Sequence, residues 1–208
     1  HMRSWISALL VASALVAVPV SAEASSLQIT PVNIEVPAPG AASKVTIGNG
    51  GSEQLNAQIR VFKWVQKNGK DELVETREVV ASPPAVKVGP GKKSVIRVVR
   101  MSKSPAKTEE SYRLIVDEIP APPKPGQAGV GFAIRYSVPV FFSKPGEDID
   151  LSWNASVDNG KLVLKAANAG GRHIRLAALK VIGKDGKSVN FGNGLAGYVL
   201  GQSSKSWI

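Results

Sequence analysis

From Leu27 onward, apolar and polar residues alternate with a period of two, and glycine, proline, asparagine and aspartate interrupt the alternation at short intervals. A period of two places successive side chains on opposite faces of a β-strand, whereas a helix needs a period near 3.6. Residues 55–64 are the clearest such segment in the first half, and Asn68-Gly69 after them is a strong hairpin signal. No segment has a convincing helical pattern, so the sequence predicts an all-β protein.

The spacing of the strands predicts two domains. By residue 142 the pattern yields seven to eight strands, and turn residues separate them at intervals of about 8–12 residues, which is typical of a sandwich. An immunoglobulin-like domain over residues 25–143 fits this spacing. The Lys-Pro-Gly-Glu sequence at residues 144–147 predicts an interdomain joint, and hairpin turns at Asn159-Gly160 and Asp185-Gly186 predict a second β-sandwich over residues 144–208. That second domain is short for a closed sandwich, and we expect a strand or two to be missing from it.

The first residues predict an export signal rather than part of the fold. Arg3 precedes an apolar stretch of about a dozen residues that ends in the small residues Ser21 and Ala22. The stretch is short for a membrane span, and no basic stop-transfer segment follows it. We therefore expect residues 1–24, which begin with a cloning remnant at His1 and Met2, to be a signal peptide, and the mature protein to be exported and soluble.

Composition excludes several classes of function. The 208 residues include no cysteine and two histidines, His1 and His173, which excludes disulfides, thiolate zinc sites, iron–sulfur clusters and multi-histidine metal centres. The net charge of +10 is compatible with nucleic-acid binding. However, the basic residues are spread along the chain, without a basic helix or zinc-finger spacing. His173 lies two residues after a pair of glycines. The sequence has no Gly-x-Ser-x-Gly motif to supply a nucleophilic serine for a triad with this histidine, so we interpret it as a surface or turn histidine. We expect no enzyme activity, no metal, no cofactor and no nucleic-acid partner.

The longest strand candidate, residues 130–142, follows a proline-rich loop at residues 120–126. By period two, one of its faces is apolar and contains Val130, Phe132, Ile134, Tyr136, Val138 and Val140. Two interpretations stay open on the residues alone. The strand could fill the core of its own sandwich, or it could be an edge strand that lends apolar side chains to another chain, since unpaired edge groups invite strand addition.

Several short motifs also occur in a particular order. In chain order they are Ser82-Pro83-Pro84, Val88-Gly89-Pro90-Gly91, Tyr112-Arg113-Leu114, Asp117-Glu118-Ile119-Pro120, Ile134-Arg135-Tyr136-Ser137-Val138-Pro139-Val140-Phe141 and Gly194-Leu195-Ala196-Gly197-Tyr198-Val199-Leu200. This ordered series resembles the periplasmic pilus (fimbrial) chaperones of the PapD-like superfamily, and most of all the archaic or alternative branch. The resemblance runs through residues 26–142 and continues in the second domain.

That resemblance implies two immunoglobulin-like domains in an L or boomerang arrangement, and a periplasmic chaperone without catalytic activity. Its partners would be pilus subunits that lack their own last strand and an outer-membrane usher that receives them. Chaperone–pilin pairing is a known instance of strand addition. The donor strand would contain Val130, Phe132, Ile134, Tyr136 and Val138, of which the first three would enter the subunit groove. The sequence leaves open whether the free chaperone covers its exposed edge by self-association.

The family also holds the terminal carboxylate of the subunit with two basic residues in the cleft between the domains. By resemblance Arg135 is one of them, but Asn33 or Val32 occupies the second position and cannot supply the charge. Arg97 or Arg113 could replace it, or both could be solvated strand residues. An immunoglobulin-like surface or adhesin module, whose long strand is complemented within its own chain, stays open as the rival class. A hydrolase that uses His173 is the enzyme alternative.

Overall fold

We describe a computed structural model, which covers residues 26–122, 125–126 and 133–208. All regular structure in those residues is β-strand, which confirms the predicted fold class. The strands of the first half are β1 (Leu27–Thr30), β2 (Ile34–Pro37), β3 (Ala42–Asn49), β4 (Leu55–Lys67), β5 (Lys70–Glu75), β6 (Val79–Ser82), β7 (Ala85–Val88), β8 (Lys93–Arg100), β9 (Glu110–Ile119) and β10 (Arg135–Ser143). Those of the second half are β11 (Leu151–Asp158), β12 (Lys161–Asn168), β13 (Ile174–Ala177), β14 (Lys180–Ile182), β15 (Ser188–Asn190), β16 (Leu195–Val199) and β17 (Ser203–Trp207). Over the described ranges, no helix is long and apolar enough to cross a membrane.

Two sheets packed face to face form the first half. The smaller sheet has the strand order β1-β3-β8-β6, and the larger has β2-β10-β9-β4-β5 with β7 also paired to β4. Period-two alternation sends one face of each strand inward, so that Ile96 on β8 is fully buried while its neighbour Val95 is 55% exposed. Inward residues of both sheets form one core, including Val45, Ile47, Ile96, Tyr112, Leu114 and Val140. This is the predicted immunoglobulin-like sandwich.

Strand β10 lies at the edge of the larger sheet over part of its length. It pairs antiparallel with β9 from Arg135 to Phe142, but it pairs with the parallel strand β2 only from Val140 to Ser143. Within the described residues, the segment from Arg135 to Pro139 therefore has a neighbouring strand on one side only. In the described residues β10 begins at Arg135, one residue after Ile134, and residues 130–132 of the predicted strand lie outside the described ranges.

The second half contains a three-stranded sheet, β11-β12-β17, and two two-stranded sheets, β13-β16 and β14-β15, of which only the second joins consecutive strands. The turn predicted between β11 and β12 is present, with φ of +48° at Asn159 and +75° at Gly160. The prediction of a single strand over residues 174–181 is wrong, because two strands, β13 and β14, occupy this segment. Ala178 adopts a φ of +51° and the pairing shifts between Leu176 and Ala177, which interrupts the ladder.

The two halves meet on the outer face of the larger sheet. Trp64, Phe141, Tyr198 and Leu200 form a buried group, which we call the interface cluster. The Trp64 and Tyr198 rings meet edge to face with their centroids 5.2 Å apart. The Gln66 side chain adds backbone contacts, because its Nε2 donates to the Tyr198 carbonyl at 2.7 Å and its Oε1 accepts the Leu200 N–H at 3.0 Å. The contact between the halves is thus both apolar and hydrogen-bonded.

Candidate functional site

The outer face of the larger sheet brings several candidate residues to one side of the molecule. On β9, Tyr112 and Leu114 are buried in the sandwich core, so Arg113 faces outward, and Asp117 lies on the same outer face. The register pairs Arg113 with Pro139 and Asp117 with Arg135 across β9 and β10. Four residues along a strand span about 13 Å, so the two arginines stand at different levels of this face. Arg113 is at the level of the interface cluster, and Arg135 is at the far end of β10.

Arg113 is a half-buried cation between two aromatic rings. Its guanidinium carbon lies 3.8 Å from the centre of the Trp64 ring and 5.5 Å from that of Tyr198. Burial lowers the pKa of Arg113, although an arginine remains protonated at neutral pH. In the part of the chain that the structure describes, no carboxylate lies within ion-pair distance of Arg113. Its donors can therefore bind an anion that arrives from outside, and a carboxylate matches the guanidinium fork.

Arg135 already has a carboxylate partner. Its Nε lies 2.5 Å from Asp117 Oδ1, and Arg60 on β4 donates to Asp117 Oδ2 at 2.9 Å. The hydrogen bond from Arg135, with a further contribution from Arg60, holds the pKa of Asp117 below its usual value despite partial burial. The Arg135 side chain is 64% exposed. Sequence reasoning did not single out Arg60, because only the strand pairing brings it to this group.

The remaining anchor candidates lie in different places. Arg97 is on β8 in the smaller sheet, and its exposed side chain is on the opposite side of the sandwich from Arg113 and Arg135. Asn33 immediately precedes β2, whose first residue Ile34 pairs with Val140, so Asn33 is level with Pro139 and Arg113. Its amide donates to Glu35 Oε1 at 3.4 Å. The structure thus brings Asn33 and Arg113 to one level and separates Arg97 from both.

The predicted donor-strand residues divide into two groups. Val138 is 3% exposed in the sandwich core, and Tyr136 packs against that core while its hydroxyl donates to the Leu27 carbonyl at 3.0 Å. Ile134 is half-buried and precedes β10, with its carbonyl still accepting the Glu118 N–H at 2.9 Å. Val130 and Phe132 lie outside the described residues. The later side chains of the strand therefore fill the protein's own core, while the backbone edge of the same segment has no strand beside it in the described structure.

His173 is buried, so its interpretation as a surface histidine is wrong, although it does lie directly between a bend and the start of β13. It is 9% exposed, and its ring stacks on Phe141 with the centroids 3.5 Å apart and the planes 5° from parallel. Its Nδ1 lies 2.7 Å from Oε1 of Glu109, which is also buried. The residue is buried because the second half packs on the outer face of the larger sheet, a contact for which the local sequence carries no signal. Among the residues described, no three acidic or histidine side chains are grouped as metal ligands would be.

The fold defines a class of protein with two immunoglobulin-like β-domains, of which the first has an edge strand that is only partly paired in the described residues. Residues 26–146 match the family described as "Pili and flagellar-assembly chaperone, PapD N-terminal domain". The chain is 31% identical to a protein of the CsuC–CsuE chaperone–tip adhesion subunit pre-assembly complex, from the archaic chaperone–usher Csu pili of Acinetobacter baumannii. That match covers 88% of this chain and 87% of the other, with a TM-score of 0.73. This chain therefore belongs to the PapD-like pilus assembly chaperone family, as its motifs predicted.

More distant structures share the fold. The Escherichia coli chaperone DraB is 19% identical, with a TM-score of 0.62 and coverage of 88% of this chain and 84% of that one. The Salmonella enterica complex of the SafA pilin with the SafB chaperone gives 17% identity and a TM-score of 0.64 at the same coverage. No curated protein matches the sequence. Members of the family are periplasmic, non-enzymatic pilus assembly chaperones, so family membership favours neither the adhesin module nor the hydrolase.

Proposed function

We propose that this protein captures pilus subunits in the periplasm by strand addition along β10 and delivers them to an outer-membrane usher. The observation that carries the proposal is the segment from Arg135 to Pro139, which pairs with β9 on one side and has no described strand on the other. Unpaired edge strands are normally blunted in soluble proteins, so a long open edge is typical of a site for pairing. The solved complexes with a tip adhesion subunit and with a pilin support the same class of partner.

The direction of the incoming strand follows from the position of Arg113. Strand β10 runs from Arg135 towards Pro139, and Arg113 is beside Pro139. A subunit strand whose terminal carboxylate binds Arg113 would therefore run parallel to β10. Its backbone would pair along the open edge, and apolar side chains from Ile134 and the preceding Phe132 and Val130 would enter the subunit groove. Each aliphatic or aromatic side chain buried in this way would contribute about 1.5–3 kcal/mol.

We assign the carboxylate anchor to Arg113 rather than to Arg135. Arg113 is half-buried, held between two rings and without a carboxylate in the described structure, whereas Arg135 is exposed and bound to Asp117. The Asn33 amide stands at the same level as Arg113 and would be the second polar group there. Arg135 would then lie beside the incoming strand and not at its end. We also keep residues 1–24 as the export signal and place the domain boundary at residue 144, just after β10 ends.

Co-expression with the cognate subunit tests this proposal. We expect the unaltered protein to give a soluble 1:1 complex on size-exclusion chromatography, and Phe132→Asp with Ile134→Asp to abolish it, because charged side chains cannot enter an apolar groove. Arg113→Ala should also abolish or strongly weaken the complex. Arg97→Ala, on the opposite sheet, is the matched control and should leave it intact. A complex that survives both the double substitution and Arg113→Ala would contradict strand addition.

A further inference from the structure

Three charged side chains form a group on the outer face of the larger sheet, which we call the charged triad: Arg60 on β4, Asp117 on β9 and Arg135 on β10. Arg135 Nε and Nη2 donate to Asp117 Oδ1 and Oδ2 at 2.5 and 3.3 Å, and Arg60 Nη2 donates to Oδ2 at 2.9 Å. One carboxylate thus faces two guanidinium groups, which leaves the triad with a net charge of +1.

The unbalanced charge is most accessible at Arg135. Its side chain is 64% exposed, compared with 44% for Arg60 and 20% for Asp117. The Arg60 guanidinium carbon also lies 5.3 Å from the centre of the Phe62 ring on its own strand, whereas Arg135 Nη1 has no acceptor among the described residues. An exposed guanidinium with an unused N–H can bind a second carboxylate in addition to Asp117.

Arg135 is also the member of the triad that lies on the open edge of the sheet. Strand β10 pairs with β9 on one side, and from Arg135 to Pro139 no described strand lies on the other. Neighbouring strands are about 4.8 Å apart, so the long Arg135 side chain can reach a side chain on a strand added at this edge. Asp117 is one strand further from that edge, so an added side chain would lie closer to the positive charge of Arg135 than to the negative charge of Asp117.

The proposed register determines which residue of the added strand lies opposite Arg135. In that register the added strand runs parallel to β10, and its terminal carboxylate binds Arg113 at the level of Pro139. Arg135 is four residues before Pro139, so the residue opposite it is the fourth before the last residue of the added strand. Because four is an even number, this side chain lies on the outer face of the sheet, as Arg113 and Arg135 do.

We propose that Arg135 is a specificity-determining residue, which favours subunits that carry an aspartate or glutamate four residues before their C-terminal residue. The proposal rests on the strand addition and the carboxylate anchor proposed above. Arg113 would bind a carboxylate that every chain has at its end, whereas Arg135 would bind a side chain that differs between chains. A lysine or arginine at the same place in the subunit would be repelled by the net charge of the triad.

The binding of two synthetic peptides to the unaltered protein tests this proposal. Both are fluorescently labelled at the N-terminus, end in a free carboxylate and have the sequence Thr-Val-Thr-Val-Xaa-Val-Thr-Val-Thr, in which Xaa is glutamate or glutamine. The residue Xaa is the fourth before the last. We expect the glutamate peptide to bind about three- to fivefold more tightly in fluorescence anisotropy, as a well-placed exposed ion pair would give. The difference should vanish in about 1 M salt, where charges are screened over about 3 Å.

Reversal of one charge provides a matched control. In Arg135→Glu the preference should invert, so that a peptide with lysine at Xaa binds more tightly than the glutamate peptide. In Arg97→Glu, on the opposite sheet, the preference for glutamate should stay as it is in the unaltered protein. A change that acted only through the total charge of the protein would affect both variants equally.

The possible results separate this proposal from the function on which it rests. If the glutamate and glutamine peptides bind equally tightly and Arg113→Ala weakens both, the carboxylate anchor stands and the role of Arg135 is wrong. A preference for glutamate that persists in Arg135→Glu overturns the role of Arg135 as well. If neither peptide binds, strand addition at this edge is wrong, and the specificity proposed for Arg135 is wrong with it.

Discussion

Asp117 binds two arginines, whereas Arg113, on the same face of β9, has no carboxylate partner in the described structure. The difference follows from strand register, which places Arg135 opposite Asp117 and Pro139 opposite Arg113. Proline has no charge and no N–H, so the residue opposite Arg113 supplies no carboxylate partner. The resemblance predicted Arg135 as one anchor and Arg97 or Arg113 as the second, and it could not show that Arg135 has a carboxylate partner, because that depends on which residues face each other across two strands.

The pairing of Asp117 predicts a pH-dependent contribution to stability. Its pKa lies below its usual value of 3.8, chiefly through the Arg135 hydrogen bond, so its stabilising effect is complete above that pH and is lost as the pH falls below it. We expect Asp117→Asn to lower the unfolding free energy at pH 7 by no more than about 1 kcal/mol, because Arg135 is largely exposed. Urea denaturation at pH 7 and pH 2.5 measures this.

The control for that prediction is Asp185→Asn, at an exposed pair with Lys187 whose N–O distance is 3.9 Å. It should have almost no effect at either pH, since well-solvated pairs contribute little. If Asp117→Asn lowers the unfolding free energy equally at pH 7 and pH 2.5, Asp117 acts through packing and not through its charge.

At the scale of the elements, two hairpin turns share one backbone conformation but differ in their surroundings. Gly69, between β4 and β5, and Gly160, between β11 and β12, both have a φ of +75°. A Cβ at Gly160 would meet no atom within 4 Å, whereas a Cβ at Gly69 would lie 2.5 Å from Ser206 Oγ on β17. The Gly69 carbonyl also accepts the Ser206 N–H at 3.0 Å. The first hairpin is therefore part of the contact between the halves, and the second is not.

We expect Gly160→Ala to lower the unfolding free energy by about 1–2 kcal/mol, the cost of a left-handed conformation for a residue with a Cβ. Gly69→Ala should lower the unfolding free energy clearly more than Gly160→Ala, because the added Cβ must also displace Ser206. Denaturation of both variants under the same conditions provides the comparison. Equal losses would mean that Ser206 moves away from the added Cβ without a cost in free energy.

These turns were predictable from the sequence because their chemistry is local. Asn-Gly supplies the positive φ values that a two-residue hairpin needs, whatever the rest of the chain does. The break at Ala178 was not predictable, because nothing in an alanine indicates a left-handed backbone. The sequence does not decide between a core strand and an edge strand for β10, since strand neighbours depend on contacts between residues far apart in sequence. The structure places Val138 in the core and leaves the backbone edge beside it without a described neighbouring strand, and the binding of a second chain there stays a prediction.

At the scale of the whole molecule, Gln66 joins the two halves through its side-chain amide. It satisfies the Tyr198 carbonyl and the Leu200 N–H, which belong to largely buried residues, and it also donates to Asp71 Oδ1 at 2.8 Å. The Gln66 amide thus makes the two hydrogen bonds that the backbone of a neighbouring β-strand would otherwise make. No period or motif in the sequence pointed to this contact, because residues more than 130 positions apart form it.

We expect Gln66→Ala to lower the unfolding free energy by about 1–3 kcal/mol, because two backbone groups at the interface lose their partner. Gln58→Ala is the matched control, since Gln58 lies on the same strand with an exposed side chain. The interface tryptophan Trp64 should also become more accessible to an acrylamide quencher in Gln66→Ala than in Gln58→Ala. Identical denaturation curves for the two variants would show that water replaces the Gln66 contacts without cost.

The short parallel pairing of β2 with β10 limits how a partner strand can bind. Since β2 already occupies the edge from Val140 to Ser143, a strand that pairs with β10 must end at Pro139. In the proposed complex, β2 would therefore set the last residue of the bound strand that can pair with β10, and with it the register of every residue before it. Subunits of different length would differ only at the other end, beyond Arg135, so one chaperone could accept several subunits in the same register.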